Sequence, residues 1–226
     1  MNTLEQKSAY VPPISGTRFA IAKLEGKGEG VIATQDLKPG DVIFREQALL
    51  KLGRSDVLTD TIQSALDRLT EVQRSLYYRL HNCYTAKEGY SGVEMSEVMG
   101  IWATNAFGIS GNEQVLMLGA TSKINHSCKP NASRVWCTET DTWSIVASDF
   151  IKAGQEVSHT YLDVVQATEP RRLRALKSWG FLCECEACLQ SPDLIKVSDE
   201  RRARLRHLRA SMRVHAFANE DQVSLS

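Results

Sequence analysis

Three cysteines lie within six residues in the C-terminal part of the chain, at Cys183, Cys185 and Cys188. Their C-x-C-x-x-C spacing brings the sulfur atoms together only if the backbone turns around a common centre. A metal ion is the simplest reason to hold three thiols there, because its charge keeps them as thiolates. The alternatives are an exposed cysteine-bearing loop and a redox pair. Tetrahedral zinc needs four ligands, so a fourth side chain must come from elsewhere.

The segment 125–131, with the sequence NHSCKPN, is a second concentration of polar chemistry. Asn, Ser and Pro favour turns and local hydrogen bonds, so we expect an ordered polar loop, and such loops usually serve a site. It also offers ligands for the cysteine cluster. The candidates for the fourth position are Cys128, Cys137 and His126, of which Cys128 is preferred because it lies in this loop. The sequence alone leaves that choice open.

The charge balance and the cysteine usage limit the classes of function. Lys plus Arg and Asp plus Glu both number 27 in 226 residues, so no overall positive field argues for nucleic-acid or membrane binding. Residues 1–13 lack the apolar run of a secretion signal, and no stretch approaches the roughly 18 apolar residues of a spanning helix. We expect a soluble, monomeric protein of the nucleus or cytoplasm that is not secreted. Cys83 and Cys137 are then expected to be ordinary buried thiols.

The pattern of apolar residues predicts a chain that begins with strands. Short, partly alternating runs at 18–24, 30–34 and 41–46 are separated by Gly or Pro-Gly signals, as in successive strands. After the polar loop, residues 132–137 and 143–148 flank a polar connection and are typical of a hairpin.

Helices are predicted between and after these strands. Apolar residues recur at steps of three and four over residues 59–81, and Thr70 with Gln73 resembles a capping box that would divide this stretch into two helices. A further helix is predicted from Met95 to a stop near Gly108. We interpret these helices as an insertion within the β framework.

Two helices are predicted in the C-terminal part. The first begins near Thr168 and stops at Gly180, which carries the chain into the cysteine cluster. The second covers residues 199–216, is rich in arginine and has apolar residues along one side. Its arginines are expected to form a solvated face, with a basic docking surface as the alternative.

Two further features are candidates for a binding pocket. Lys27-Gly28-Glu29-Gly30 lies between two predicted strands and permits close approach of a ligand to the backbone, although a lone G-x-G is also common in ordinary turns. Tyr161 ends a strand-like run and would place a phenol at a pocket, or serve as a half-buried core tyrosine.

Taken together and in this order, these elements resemble the SET-domain protein lysine methyltransferases, particularly the SMYD-like group of fungi and animals. The resemblance extends over about residues 17–189. The matching segments are the G-x-G at 27–30, Asn105-Ala106-Phe107, the NHSCKPN loop, the G-x-E-x-x-x-x-Y-x-D at 154–163 and the C-x-C-x-x-C cluster.

The resemblance implies a role for each matching position. It implies that the chain transfers a methyl group from S-adenosylmethionine to a lysine ε-amine of a histone or non-histone protein, with Tyr161 as the active-site phenol and Trp179 as an aromatic wall of the lysine channel. The residues implied to bind the cofactor are Lys27, Gly28, Gly30, Asn105, Asn125, His126, Tyr161 and Phe181. Cys128, Cys183, Cys185 and Cys188 are implied to hold one structural zinc ion. The implied alternative is a catalytically silent SET module that acts as a protein-interaction domain.

The implied fold class is α+β: a β-rich SET fold of small sheets with a helical insertion, a zinc-binding post-SET segment and a C-terminal helix. The expected organisation is a disordered segment at 1–16, a SET domain at 17–163 with the insertion at about 57–108, a post-SET segment at 164–190 and a helix with a tail at 191–226. SMYD-like members carry a MYND zinc finger between the early strands and the insertion. Residues 50–61 contain no cysteine, so that finger is missing here. His159 also stands where the family pattern has an aliphatic residue.

Overall fold

The computed structural model describes residues 18–85, 95–109, 111 and 113–223, and for 213–223 it describes only the course of the helical backbone. The predicted disordered segment 1–16 lies outside these residues. Two compact units make up the chain. The larger unit comprises Met1–Asn125 and Pro130–His159, and the smaller unit comprises His126–Lys129 and Thr160–Ser226. The domain boundaries given above stay predictions.

The described residues contain ten strands and five α-helices. The strands are β1 (Phe19–Leu24), β2 (Gly28–Ala33), β3 (Val42–Glu46), β4 (Leu50–Gly53), β5 (Phe107–Gly108), β6 (Gln114–Met117), β7 (Asn125–His126), β8 (Ala132–Cys137), β9 (Thr142–Ala147) and β10 (Glu156–His159). The helices are α1 (Thr59–Asp67), α2 (Glu71–Tyr78), α3 (Glu97–Asn105), α4 (Thr168–Trp179) and α5 (Pro192–Val223). Small sheets together with helices confirm the predicted α+β class.

The strands form three small sheets. The first has the order β1-β2-β10-β7, with an antiparallel hairpin of β1 and β2. The second has the order β3-β9-β8 and contains the predicted hairpin of β8 and β9. The third, β4-β6-β5, is antiparallel and was not predicted. The predicted strands are therefore confirmed, with small shifts at their ends.

The helical insertion begins with two helices in tandem, as predicted. Thr70 precedes α2, where its hydroxyl accepts a bond from the Gln73 N–H at 3.3 Å while its own N–H donates to the Gln73 side chain at 3.0 Å. This reciprocal capping box satisfies donors that a helix start leaves unpaired. The capping box therefore starts α2 as a helix separate from α1, which ends at Asp67.

Apolar side chains from the insertion and from the third sheet form one of the cores of the larger unit. Fully buried members are Ile62 and Leu66 on α1 and Met117 on β6. A separate core lies among the first two sheets, where Val31 and Ile145 are fully buried. Burial of such side chains contributes roughly 1.5–3 kcal/mol each, so the larger unit has an ample apolar core.

A buried carboxylate fixes the chain just before the polar loop. Glu46, at the end of β3, is 2% exposed and accepts bonds from the backbone N–H groups of Gly119, Ala120 and Thr121 at 2.7–2.9 Å. The hydroxyl of Thr121 donates to the same carboxylate at 2.7 Å. Four donors on one buried acceptor hold this turn rigidly, because breaking any of them would leave a buried polar group unpaired.

The smaller unit contains the two C-terminal helices. α4 stops at the glycine that was predicted to end it, since Trp179 is its last residue and Gly180 is the cap. α5 (Pro192–Val223) extends beyond the predicted 199–216 at both ends, and it begins at a proline, a residue that suits the first helical position. Residues 203–210 of α5 are all exposed, but Arg202 and Arg209 contact the Val164 carbonyl and the Asp163 carboxylate, so those two arginines are not purely solvated. Within the described residues, no helix combines the length and apolar character needed to cross a bilayer.

Candidate active site and metal centre

The G-x-G segment is the turn of the hairpin between β1 and β2. Gly28 has a φ of +73°, in the left-handed region, and the N–H of Lys27 donates to the carbonyl of Leu24 at 3.2 Å. A side chain at Gly28 would meet no atom within 4 Å, so it is the backbone conformation that favours glycine there. The segment thus forms a tight turn, and its contribution to cofactor binding stays a prediction.

Gly30 differs from Gly28, because the atoms around it leave no room for a side chain. A Cβ atom at Gly30 would lie 2.3 Å from the Leu24 side chain and 2.8 Å from Nδ2 of Asn125. That amide nitrogen donates to the carbonyl of Glu29 at 3.3 Å and to Oε1 of Glu156 at 3.0 Å. The missing side chain of Gly30 therefore lets Asn125 reach the backbone of β2.

Lys27 and Glu156 complete this polar cluster in the larger unit. Nζ of Lys27 lies 2.6 Å from Oε2 of Glu156, so one carboxylate bridges the lysine and Asn125. Glu156 is not among the predicted site residues, although it is the acidic residue of the G-x-E-x-x-x-x-Y-x-D segment. We name Lys27, Asn125 and Glu156 the polar cluster.

Asn131, the last residue of the NHSCKPN loop, hydrogen-bonds to the backbone of β10, the strand that contains Glu156. Its Nδ2 donates to the carbonyl of Glu156 at 2.8 Å, and its Oδ1 accepts from the N–H of Ser158 at 2.8 Å. These two bonds imitate those that a neighbouring strand would make. The loop therefore contributes to the larger unit through both of its ends, Asn125 and Asn131.

A second ion pair anchors the hairpin. Nζ of Lys123 lies 2.6 Å from Oε2 of Glu29 and also donates to the carbonyl of Arg79 at 2.7 Å. The hydrogen bond from Lys123 lowers the pKa of Glu29 below its ordinary value of 4.5. Glu29 is thus a carboxylate at neutral pH.

Asn105 has a structural role that the sequence did not reveal. It ends α3 and is 7% exposed, and its Nδ2 donates to the carbonyls of His81 at 2.6 Å and Ile101 at 2.8 Å. Both hydrogens of its amide group are thus used by main-chain acceptors. Its contribution to cofactor binding stays a prediction.

An aromatic cluster surrounds Tyr161 in the smaller unit. Its ring centroid lies 5.3 Å from that of His126, 5.3 Å from that of Trp179 and 6.3 Å from that of Phe181, the last in an edge-to-face arrangement. His126 and Phe181 are 6.0 Å apart. The structure thus brings together four of the predicted site residues, which we name the aromatic cluster.

The end of α4 explains how Trp179 and Phe181 reach the same phenol. Trp179 is the last residue of the helix, and Gly180 follows with a φ of +74° while its N–H donates to the carbonyl of Leu176 at 3.0 Å. A left-handed residue of this kind ends a helix and redirects the chain, and glycine adopts this conformation at the lowest cost. The two rings flanking Gly180 can both contact Tyr161 for this reason.

His126 connects the aromatic cluster to the cysteines. Its Nδ1 accepts a bond from the N–H of Tyr161 at 3.0 Å, and its Nε2 lies 3.3 Å from Sγ of Cys128. Burial lowers the pKa of His126 to about 4, so the ring is neutral at pH 7. Because Nδ1 is an acceptor, the proton of the neutral ring is on Nε2, which donates to the sulfur.

The sulfur atoms of Cys128, Cys183, Cys185 and Cys188 all lie within 4.8 Å of one another. Sγ of Cys128 is 3.9 Å from that of Cys183 and 3.7 Å from that of Cys188. Zinc with bonds of about 2.3 Å to four sulfurs requires separations of about 3.8 Å in a tetrahedron. The cluster is therefore compatible with a structural zinc ion.

Two hydrogen-bond donors near the cysteines stabilise thiolates, the form that binds metals. The backbone N–H of Cys128 donates to Sγ of Cys185 at 3.3 Å, and the buried Arg171 donates through Nε to Sγ of Cys128 at 3.1 Å. Arg171 is not among the predicted site residues, and it lies 43 residues from its sulfur partner in the sequence.

The other cysteines lie outside this cluster. Cys83 is buried, as predicted, and its sulfur lies 3.3 Å from the Thr104 hydroxyl. The prediction that Cys137 is buried is wrong, because it is only partly buried at the end of β8, where its thiol donates to Glu139 at 3.1 Å. Of the three candidates for the fourth position, the structure brings the sulfur of Cys128 to the other cysteines.

The fold has a counterpart among solved structures. The SET domain of LSMT, solved with lysine and AdoHcy, superposes with a TM-score of 0.53 at 15% sequence identity, over 75% of this chain and 54% of that one. At this identity the similarity concerns the fold.

Curated proteins are similar in sequence as well. The histone-lysine N-methyltransferase set5 of Schizosaccharomyces pombe is 28% identical over 203 residues, which are 89% of this chain and 60% of that protein. The human N-lysine methyltransferase SMYD2 is 32% identical over 137 residues, 56% of this chain and 31% of that protein. The chain thus spans less than two thirds of the length of these relatives. The sequence model of the SET domain matches residues 28–162, more than half of the chain, and the protein therefore belongs to the SET domain family.

Proposed function

We propose that the chain is a protein lysine N-methyltransferase that uses S-adenosylmethionine as methyl donor. The observation that carries this proposal is the aromatic cluster, in which Tyr161 has Trp179, Phe181 and His126 as neighbours. Family membership and the relatives named as histone-lysine N-methyltransferases support it.

The chemical difficulty of the reaction is the charge of the lysine. A free lysine has a pKa near 10.4, so holding its amine neutral at about pH 7.4 costs roughly 4 kcal/mol. Aromatic side chains offset this cost, because they remove water from the amine and thereby disfavour the charged form. We propose that Tyr161 and Trp179 line the channel in which this occurs. No dedicated base is then required.

The proposed cofactor ligands are those that the family resemblance implies. Lys27, Gly28 and Gly30 would contact the cofactor largely through backbone groups, and Asn105, Asn125 and His126 would continue that pocket. Phe181 would pack on the adenine ring, and Tyr161 would also contact the cofactor. When bound, S-adenosylmethionine supplies a methyl group on a positive sulfur atom, whose charge also disfavours a charged lysine nearby.

Tyr161 is the proposed catalytic residue. Its phenol would orient the amine for in-line transfer, and alignment of reacting groups supplies much of the rate in such reactions. Because this contribution is made in the transition state, it affects turnover more than cofactor affinity.

Replacing Tyr161 by Phe tests the assignment. We expect the turnover number to fall by about 100-fold or more, while the dissociation constant of S-adenosylmethionine changes by less than about threefold. Turnover is measured with labelled cofactor and a lysine-rich protein mixture, and affinity by calorimetry. Tyr78→Phe, on a partly exposed tyrosine of α2, is the matched control. Equal losses of turnover and affinity in Tyr161→Phe would contradict the role.

The same assay separates the proposal from a silent SET module. Methyl incorporation supports a methyltransferase, whereas cofactor binding without transfer, or neither, would overturn it. For the substrate we propose a lysine of a histone, as the names of the relatives suggest, and for the location the nucleus or cytoplasm. Mass spectrometry of the labelled proteins identifies the substrate and the number of methyl groups added. Size-exclusion chromatography tests the expected monomer.

A further inference from the structure

Arg171 is a buried charge that the proposed methyl transfer does not use. It lies in the first turn of α4 and is 1% exposed. Among the arginines whose side chains the structure describes, only Arg171 is buried. Burying a guanidinium removes its hydration, which costs several kcal/mol unless other groups replace the lost water. Its position therefore needs a strong partner.

Each arm of the guanidinium of Arg171 has an acceptor. Nε donates to Sγ of Cys128 at 3.1 Å, Nη2 donates to the hydroxyl of Thr168 at 3.1 Å, and Nη1 donates to the carbonyl of Gln166. The carboxylate of Asp199 is 4.0 Å from Nη1. The sulfur is thus a closer partner than the carboxylate.

The simplest alternative is an ordinary buried ion pair between Arg171 and Asp199. The geometry disfavours it, because the carboxylate of Asp199 accepts from the backbone N–H and the hydroxyl of Thr168, both at 2.9 Å. Asp199 thus orients Thr168, and Thr168 in turn accepts from Arg171. The chain of contacts runs from α5 to the sulfur of Cys128.

The charge of a metal–thiolate centre explains why a cation would contact the sulfur of Cys128. Four thiolates around a divalent metal ion carry a net charge of about −2, and the interior of a protein screens such a charge poorly. A fixed cation beside one sulfur reduces this cost, and hydrogen bonds to ligand atoms orient them for the metal. Cys128 receives such bonds from both Arg171 and His126.

We propose that Arg171 is a positioning residue of the metal centre, which partly neutralises and orients the Cys128 thiolate and which Asp199 on α5 supports through Thr168. The proposal rests on zinc binding by the four cysteines and not on methyl transfer. It gives the C-terminal helix a role in metal retention, and it distinguishes Arg171 from the other arginines of α4.

Zinc affinity is the first test. We compare the purified full chain with Arg171→Gln, Arg171→Lys and, as matched control, Arg174→Gln, whose residue is exposed on the same helix. Competition with a chromophoric chelator should show about 10–100-fold weaker zinc binding for Arg171→Gln and less than twofold change for Arg174→Gln. Arg171→Lys keeps the positive charge and should lose less than Arg171→Gln. Equal affinities of Arg171→Gln and the unaltered chain would overturn the proposal.

A spectroscopic measurement separates this role from simple packing. In the cobalt-loaded protein, loss of a hydrogen bond to a ligand sulfur raises the energy of its lone pair. The sulfur-to-cobalt charge-transfer band of Arg171→Gln should therefore move to longer wavelength. The band of Asp199→Asn should stay in place while zinc affinity falls by less than tenfold, because Nε of Arg171 still faces the sulfur. An unshifted band in a folded Arg171→Gln would overturn the proposal.

The unaltered protein provides a test that needs no folded variant. Loaded with an NMR-active cadmium isotope, it should show scalar coupling between the metal and the Nε–H of Arg171, transmitted through Sγ of Cys128. Absence of this coupling in a cadmium-loaded protein would overturn the proposal while leaving the metal site intact. Failure of the unaltered chain to bind zinc or cadmium would overturn the metal centre itself, and the role of Arg171 with it.

Discussion

The two units of the molecule have cores of different chemistry. In the larger unit, fully buried side chains such as Ile62, Leu66 and Ile145 form extended apolar clusters. The core of the smaller unit has five buried members, and three of them are cysteines: Cys128, Ala175, Cys183, Ala187 and Cys188. Alanine and cysteine bury little apolar area. Burial of apolar side chains thus stabilises the larger unit, whereas we expect the smaller unit to depend on a metal ion bound by its cysteines.

The magnitudes support this contrast. Each large apolar side chain contributes roughly 1.5–3 kcal/mol when buried, and the larger unit contains many of them. A structural zinc ion contributes about 10–16 kcal/mol in small zinc-dependent domains. Losing one apolar side chain should therefore weaken the larger unit, whereas losing the metal should abolish the order of the smaller unit.

Removing the metal gives the largest expected effect. With a strong chelator, or in Cys185→Ser, we expect fast hydrogen exchange over residues 126–129 and 160–190, while β1 and β2 stay protected. The packing of Phe181 and Tyr161 would be lost, so cofactor affinity should fall as well. Cys137→Ser is the matched control, because that thiol lies outside the cluster. Unchanged protection of the smaller unit without metal would remove the contrast between the two cores.

Truncating the apolar core of the larger unit ranks second. Ile145→Ala should lower the free energy of unfolding by about 2–5 kcal/mol, because a fully buried side chain leaves a cavity. The measurement is thermal and denaturant unfolding, with zinc content determined in parallel. Ile21→Ala is the control, because Ile21 on β1 is 43% exposed. Loss of bound zinc in folded Ile145→Ala would show that the two cores are not independent.

Glu156→Gln should have a smaller effect, confined to the polar cluster. Glutamine keeps an acceptor for Asn125 but loses the charge opposite Lys27, and the lysine is more than half exposed. We expect stability to change by less than about 1 kcal/mol and cofactor affinity to fall by a few fold. Calorimetric titration with S-adenosylmethionine measures this, with Glu25→Gln in the exposed turn as control. Tighter cofactor binding would contradict the proposed role of the cluster.

The ion pair of Lys123 and Glu29 should show the smallest effect. Lys123→Gln should cost less than about 1 kcal/mol at pH 7, because the partly exposed pair is screened by solvent. The pKa of Glu29 is lowered in the folded state, so the pair stabilises the protein above the ordinary value of 4.5. The difference between the two proteins should disappear as the pH falls through the lowered pKa. A difference that persists in acid would assign the effect to the contact with Arg79.

Features that depend on neighbouring residues were predictable from the sequence. The capping box of Thr70 and Gln73 and the glycine stop of α4 are local signals, and both are found as predicted. The hairpin of β8 and β9 likewise depends on a short connection. In each case the interacting groups are close in sequence, so residue type and spacing contain the necessary information.

Features that depend on distant residues were not predictable. The pairing of β4 with β6 joins segments that the helical insertion separates, and no local pattern specifies it. Glu156 meets Lys27 across 129 positions, and Arg171 meets Cys128 across 43. An acidic residue at a strand start and an arginine on a helix are individually ordinary. Their contacts with Lys27 and Cys128 become visible only in the folded chain.

The two hydrogen bonds of Asn131 to β10 have a consequence for solubility. β10 lies between β2 and β7, and the two residues of β7 are too few to pair with the whole of β10. Backbone N–H and carbonyl groups left unpaired on a strand are sites on which a foreign strand can add, which is a common route to aggregation. Asn131 occupies the Glu156 carbonyl and the Ser158 N–H with a side chain that cannot itself propagate a sheet. The amide group of Asn131 thus prevents a foreign strand from pairing with β10. A preparation of Asn131→Ala should therefore become turbid at a lower protein concentration than the unaltered protein.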